Sequence, residues 1–207
     1  MTESHIDVVQ KRRFYQNDIT DKKEILIALH GYGQLGQFFF RKFSAIEKKI
    51  GIVIPEGPHR FYLEGSSGRV GASWMTKEWR ETDIAENTQY LLSLIKAIRK
   101  VNQNAPITLL GFSQGGATAA RLYQTAPDLF TQLILWASVF PPDVEKQQFK
   151  MKNKLHFVLG TKDPYFSSEN RATLLNEYQK LGFIIHEFDG VHDINETTLN
   201  VILKKVA

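Results

Sequence analysis

The chain has 207 residues, 43% hydrophobic and 23% charged, enough for one well-buried globular domain spanning residues 1–207. It contains no cysteine, which excludes disulfides, thiolate metal sites and a cysteine nucleophile, so the nucleophile of any covalent chemistry has to be a hydroxyl. The net charge of +4 is dispersed, with small clusters at Lys11-Arg12-Arg13, Lys146 to Lys154 and Lys204-Lys205 that read as solvated faces; without a basic stripe or a recognition motif, no nucleic-acid partner is expected. No stretch approaches the roughly 20 apolar residues of a membrane span, and Met1-Thr-Glu-Ser-His-Ile-Asp lacks a signal peptide's basic and apolar regions, which reads as a cytoplasmic protein.

In chain order, β-prone runs at residues 6 to 14, 25 to 29, 52 to 54, 106 to 110, 133 to 137, 155 to 159 and 183 to 188 alternate with helical patterns. That alternation predicts an α/β fold with a mainly parallel sheet of about seven strands. The run Ile25-Leu-Ile-Ala-Leu leads into His30-Gly31-Tyr32-Gly33, a glycine-rich loop after an early strand. Residues 55 to 80 hold four glycines, two prolines, Trp74 and Trp79, and read as a long loop bordering a pocket. The two tryptophans either line that pocket or plug the core beneath it. Ile84, Leu91, Leu92, Ile95 and Ile98 recur at helical spacing, predicting a helix over 83 to 101 that starts after Thr82.

Residues 106 to 116, Pro-Ile-Thr-Leu-Leu-Gly-Phe-Ser-Gln-Gly-Gly, join a short strand to a Gly-x-Ser-x-Gly turn and then to small, helix-prone residues up to Ala126-Pro127. A serine raised on so tight a strand-to-helix turn has a strained backbone, and Gly111 and Gly115 remove side chains that would collide with the neighbouring elements. Ser113 is therefore the candidate nucleophile of a serine hydrolase.

A serine hydroxyl needs a base, and imidazole is the side chain that titrates near neutrality. In elbow-bearing hydrolases the chain order is serine, acid, histidine. His5, His30, His59 and His156 fail that order, and His186 falls inside the strand pattern Phe183-Ile-Ile-His-Glu-Phe, which leaves His192 on the loop beyond it. The acid must follow a strand between Ser113 and His192. Asp163 does so after Leu155-His-Phe-Val-Leu, in a turn stiffened by Pro164; Asp143, in Pro141-Pro142-Asp143, is the main rival. Donors for the oxyanion of the tetrahedral intermediate, worth about 3 kcal/mol each, are assigned to the backbone N–H of Gln114 and of Tyr32, with the His30 imidazole bracing the loop. A helix is predicted from Ser168 to Leu181, ended by Gly182 in a left-handed conformation, and a last helix after Asp193.

His30-Gly-Tyr-Gly, Pro55-Glu-Gly-Pro58, Ser73-Trp74, Gly111-Phe-Ser-Gln-Gly-Gly116, Gly160-Thr-Lys-Asp163 and Gly190-Val-His192 occur in the order found in the phospholipase/carboxylesterase family of small α/β-hydrolases, which this chain resembles over nearly its whole length. The resemblance implies cleavage of carboxylic esters or thioesters through an acyl-serine, with no metal and no organic cofactor, and carries over the same triad, Ser113, Asp163 and His192. No inserted cap domain is evident in the chain, which points to an open site suited to short acyl chains, and Trp74, Phe140 and Phe166 are the pocket candidates. Thioesterase-like members carry aspartate where this chain has Gln34, which favours simple esters over acyl-protein substrates. Phe38-Phe39-Phe40 and Phe140 offer aromatic surface for a second copy of the chain, or core.

Overall fold

The computed structural model describes residues 1–145, 149 and 154–204. The basic cluster read between Lys146 and Lys154 and that at Lys204-Lys205 therefore fall largely outside the described residues. A seven-stranded sheet runs in the order β1 (Phe14–Gln16), β3 (Gly51–Pro55), β2 (Ile25–Leu29), β6 (Ile107–Phe112), β7 (Gln132–Trp136), β8 (Lys154–Gly160), β9 (Ile184–Phe188). All pairings are parallel except that of β1 with β3. Strands β2, β3, β6 and β7 are buried along their full length, as apolar strands must be when both faces of a parallel sheet are covered. This is the α/β-hydrolase architecture expected from the sequence.

The helices are α1 (Gly36–Phe40), α2 (Arg80–Val101), α3 (Gln114–Thr125), α4 (Ser168–Lys180) and α5 (Glu196–Lys204). Gly182 adopts φ 85° after α4, as its position predicts, and Ser167 caps that helix by accepting from the Asn170 N–H. Helix α2 starts earlier than expected. Trp79, at φ 55°, opens the helix, and Asp83 lies inside it, where its carboxylate accepts from the Thr76 N–H and contacts His59 Nε2 at 2.9 Å.

Two other expectations are corrected. The first strand is confined to residues 14–16; Ile6, Val8 and Val9 are exposed and pair with no strand. Residues 55 to 80 are not an irregular loop. They contain the antiparallel hairpin β4 (His59–Glu64) and β5 (Ser67–Ser73), which turns through Gly65 and Ser66, with Gly65 and, at the start of β5, Gly68 at positive φ. Of the glycines that suggested a loop, Gly65 makes the turn, while Gly57 and Gly71 allow close backbone contacts with Ser73 and Gly33. The hairpin meets the main fold through a bridge between Gln34 and Ala72.

Candidate active site

The site is assembled at the carboxyl edge of the sheet, where open α/β sheets bind ligands. Ser113 follows β6 at φ 53° and ψ −120°, a conformation that costs on the order of 1–3 kcal/mol and persists because its surroundings impose it. Its N–H donates to the Trp136 carbonyl at 2.9 Å, and its carbonyl accepts from Gly116 at 2.9 Å. A Cβ on Gly111 would lie 2.5 Å from the Gly115 carbonyl oxygen, and one on Gly115 would strike the Leu29 and His30 carbonyls. Both positions require glycine because backbone passes within contact distance of each.

Asp163 and His192 lie on the loops after β8 and β9, which are joined by Thr161 N–H to Phe188 O and Lys162 N–H to Gly190 O, both 2.8 Å. His192 Nδ1 donates to Asp163 Oδ2 at 2.6 Å, which leaves Nε2 as the acceptor a base needs. Asp163 is 4% exposed, and its other oxygen accepts from the Tyr165 N–H at 3.0 Å. The imidazole is held between Phe112, at 4.8 Å between ring centroids, and the edge of Tyr165, at 4.6 Å. Trp136 Nε1 donates to the Asp193 carbonyl at 3.0 Å and fixes the next residue of the loop. Phe112 thus joins His192 to the elbow; no hydrogen bond links Ser113 to His192 among the described residues. Asp143 belongs elsewhere. Arg121 on α3 grips it with two hydrogen bonds of 2.7 and 2.8 Å, Arg80 adds a third, and these cations hold its carboxyl well below the usual carboxylate range.

Two backbone N–H groups beside the serine are left without partners. In the loop after β2, Gly31 N–H donates to Gln34 Oε1, Gly33 N–H to the Ala72 carbonyl and Gln34 N–H to the Gly31 carbonyl. Tyr32 N–H has no partner among the described hydrogen bonds. Gln114 N–H, at the first position of α3, has none either, as helix starts leave their first donors unpaired. A Cβ on Gly31 would lie 3.2 Å from Ser113 Cβ, which sets how closely this loop approaches the serine.

His30 braces this loop, as predicted. Gly57 N–H donates to its Nε2 at 2.9 Å, so Nδ1 carries the proton and donates to the Gly31 carbonyl at 2.7 Å. Burial of this neutral ring holds its pKa below the ordinary value of 6.5. The unfolded chain then takes up a proton that the folded chain refuses as pH falls below that value, so stability declines on acidification by at most about 1.4 kcal/mol per pH unit. Urea unfolding between about pH 7 and about pH 5.5 is expected to show a shallower decline for His30→Gln than for the native chain. Equal slopes would remove His30 as the source.

The pocket candidates fare differently. Trp74 is fully buried, packs against His30 at 5.2 Å and donates Nε1–H to the His30 carbonyl at 2.8 Å. It supports the oxyanion loop and presents no surface to a substrate. Trp79, by contrast, is half exposed and rests on His5 at 4.9 Å. Phe140 is half-buried and packs against the core in an aromatic cluster, stacked on Tyr178 at 4.8 Å with Phe149 and Phe183 in edge contacts. Phe166 packs against the core beside the acid, its N–H donating to the Asp163 carbonyl. Tyr165, whose ring packs on His192, and Val191, the residue before it, are 75% and 57% exposed; sequence reasoning missed them. It also missed the Gln114 side chain, which accepts from the Trp74 N–H and donates to the Ser73 hydroxyl and Met75 carbonyl, tying the end of β5 to the elbow. Among the described residues no three His, Asp or Glu side chains converge to hold a metal ion, and no helix is long and apolar enough to cross a membrane.

A family model described as Serine hydrolase (FSH1) matches residues 19–198. The chain belongs to that family. No curated protein matches the sequence. Among solved structures, this serine hydrolase resembles esterase PE8 (TM-score 0.71, 19% identity, 96% of this chain and 100% of that one). It also resembles a carboxylesterase from Mesorhizobium loti (0.69, 16% identity, 90% of each chain) and Zea mays acyl-protein thioesterase 2 (0.66, 14% identity, 94% and 97%). At these identities the likeness establishes the α/β-hydrolase fold. The serine-hydrolase class read from the elbow is borne out by the family.

Proposed function

We propose that the protein is a serine carboxylesterase that hydrolyses short-chain carboxylic esters through Ser113, Asp163 and His192. The observation that carries this reading is the strained, positive-φ Ser113 on a strand-to-helix turn, beside an imidazole hydrogen-bonded to a buried carboxylate. His192 Nε2 removes the hydroxyl proton as Ser113 Oγ attacks the ester carbonyl, and Asp163 holds the imidazole and balances its positive charge. The oxyanion is received by the N–H groups of Tyr32 and Gln114, whose lack of other partners supports that role. Collapse of the intermediate breaks the acyl–oxygen bond, and the imidazolium proton leaves with the alcohol. Water, deprotonated by His192, then releases the acid and regenerates Ser113. Esterase and thioesterase names among the fold's neighbours support acyl transfer in general, and Gln34 in place of a loop aspartate favours simple esters over acyl-proteins.

Reaction of the folded protein with a fluorophosphonate probe, followed by peptide mapping, tests the activated serine. Labelling of Ser113, lost on heat denaturation, is the expected result. Absence of labelling in folded protein would replace the enzyme by a ligand-binding module of the same fold. Turnover of a p-nitrophenyl ester, an acyl thioester and a lysophospholipid, compared as kcat/KM, is expected to favour the ester; a thioester preference would make it a thioesterase.

A further inference from the structure

A groove of about 690 Å³ opens next to the loop after β2, lined by Gly33 and Gln34 of that loop, by residues around α1 and by the β4–β5 hairpin to which the loop is bonded. Its walls are apolar, with Leu35 and Phe38 facing Leu63 and Val70. Its rim is cationic. Arg41 lies over the Phe38 ring at 4.9 Å, and Arg69 rises from β5; neither has a carboxylate partner among the described residues. The third cation at the rim, Lys42, is already neutralised by Asp193 at 2.5 Å.

An apolar groove whose lining includes two guanidinium groups without carboxylate partners matches an alkyl chain that carries an anion. The geometry points to an ester whose acyl chain ends in a carboxylate, such as a half-ester of an aliphatic dicarboxylic acid. This inference rests on the esterase reading above. The acyl arm is the one assigned to the groove because the leaving alcohol must take its proton from His192, on the side flanked by Tyr165 and Val191, whereas the groove begins one residue beyond the Tyr32 N–H.

Two matched substrates test it, p-nitrophenyl hexanoate and mono-p-nitrophenyl adipate, which share chain length and leaving group and differ in the terminal charge. The native protein is expected to favour the adipate. In the Arg41→Gln/Arg69→Gln double variant the adipate-to-hexanoate ratio of kcat/KM should fall about fivefold, through KM rather than kcat, the scale set by two exposed charge pairs. Added salt should erode the same ratio in the native protein. Binding is followed separately, with monomethyl adipate and methyl hexanoate titrated into the Ser113→Ala protein, which cannot turn them over. Ester turnover with no charge preference, in a protein that binds both methyl esters alike, would overturn the groove assignment and leave the esterase standing. Preferential binding of the half-ester that weakens in the double variant, with no turnover of either nitrophenyl ester by the native protein, would uphold the groove and overturn the esterase.

Discussion

Ser113→Ala is expected to lower kcat for a small activated ester by about 10⁵- to 10⁶-fold with little change in KM, the scale known from removing the serine of a catalytic triad. Deleting one oxygen removes the covalent route altogether. The N–H donors and the binding surface remain, so a residual rate above the uncatalysed reaction should survive. Substrate affinity is mostly made outside the hydroxyl, which is why the loss falls on kcat. The variant should fold normally: the backbone at residue 113 is held by the Trp136 carbonyl and by the close packing at Gly111 and Gly115, none of which involves the side chain. Steady-state kinetics on rigorously purified variant protein, with a melting curve alongside, is the measurement. Activity retained within tenfold of the native protein would remove Ser113 from the chemistry.

Asp163→Asn should cost about 10⁴-fold in kcat, while Asp143→Asn should leave the rate within a few-fold and lower stability instead. An amide at residue 163 can donate to His192 Nδ1, which favours the tautomer with its proton on Nε2 and removes the base; it also withdraws the charge that balances the imidazolium. Nothing else is placed to compensate, since Asp163 is buried and its second oxygen is committed to the Tyr165 N–H. At residue 143 the lost charge is one that holds Arg121, which is only 9% exposed, and Arg80. Leaving a nearly buried guanidinium with a poorer partner costs on the order of 1–3 kcal/mol, visible as a lower Tm. A crippled Asp143→Asn beside an active Asp163→Asn would exchange the two carboxylates.

Much of this architecture was legible in the chain because its signals are local. Apolar runs mark the strands, Gly182 marks the end of α4, and the spacing of glycines about Ser113 marks the elbow. The serine–acid–histidine order then singled out Asp163 and His192, and their side chains are hydrogen-bonded in the structure. What escaped the sequence is carried by contacts between distant segments. Trp74 reaches His30 across 44 residues, and Gln114 reaches Trp74 across 40. A tryptophan in a glycine-rich stretch gives no sign of whether its indole N–H will find solvent or a buried carbonyl. The hairpin was missed for a related reason, since its glycines are equally common in loops and only the pairing of β4 with β5 reveals them as a turn. Asp143 stood as the rival acid because Arg121 and Arg80, which engage it, approach from other elements.

Gly71 and Gly33 touch backbone to backbone where the hairpin meets the oxyanion loop: a Cβ on Gly71 would lie 2.5 Å from the Gly33 carbonyl oxygen. The hairpin that supplies one wall of the groove is thus pressed against the residue that follows Tyr32. Reshaping that wall to admit a bulkier chain displaces the same backbone that carries the Tyr32 N–H proposed to receive the oxyanion, so on that proposal selectivity and speed cannot be adjusted independently on this side of the serine. The opposite side has no such constraint. Val191 projects into solvent, and its side chain can be exchanged without moving the loop after β2 or the start of α3. In a directed-evolution experiment, variants with altered leaving-group preference and undiminished rate should therefore accumulate at residue 191, and changes at the hairpin should arrive with a penalty in turnover.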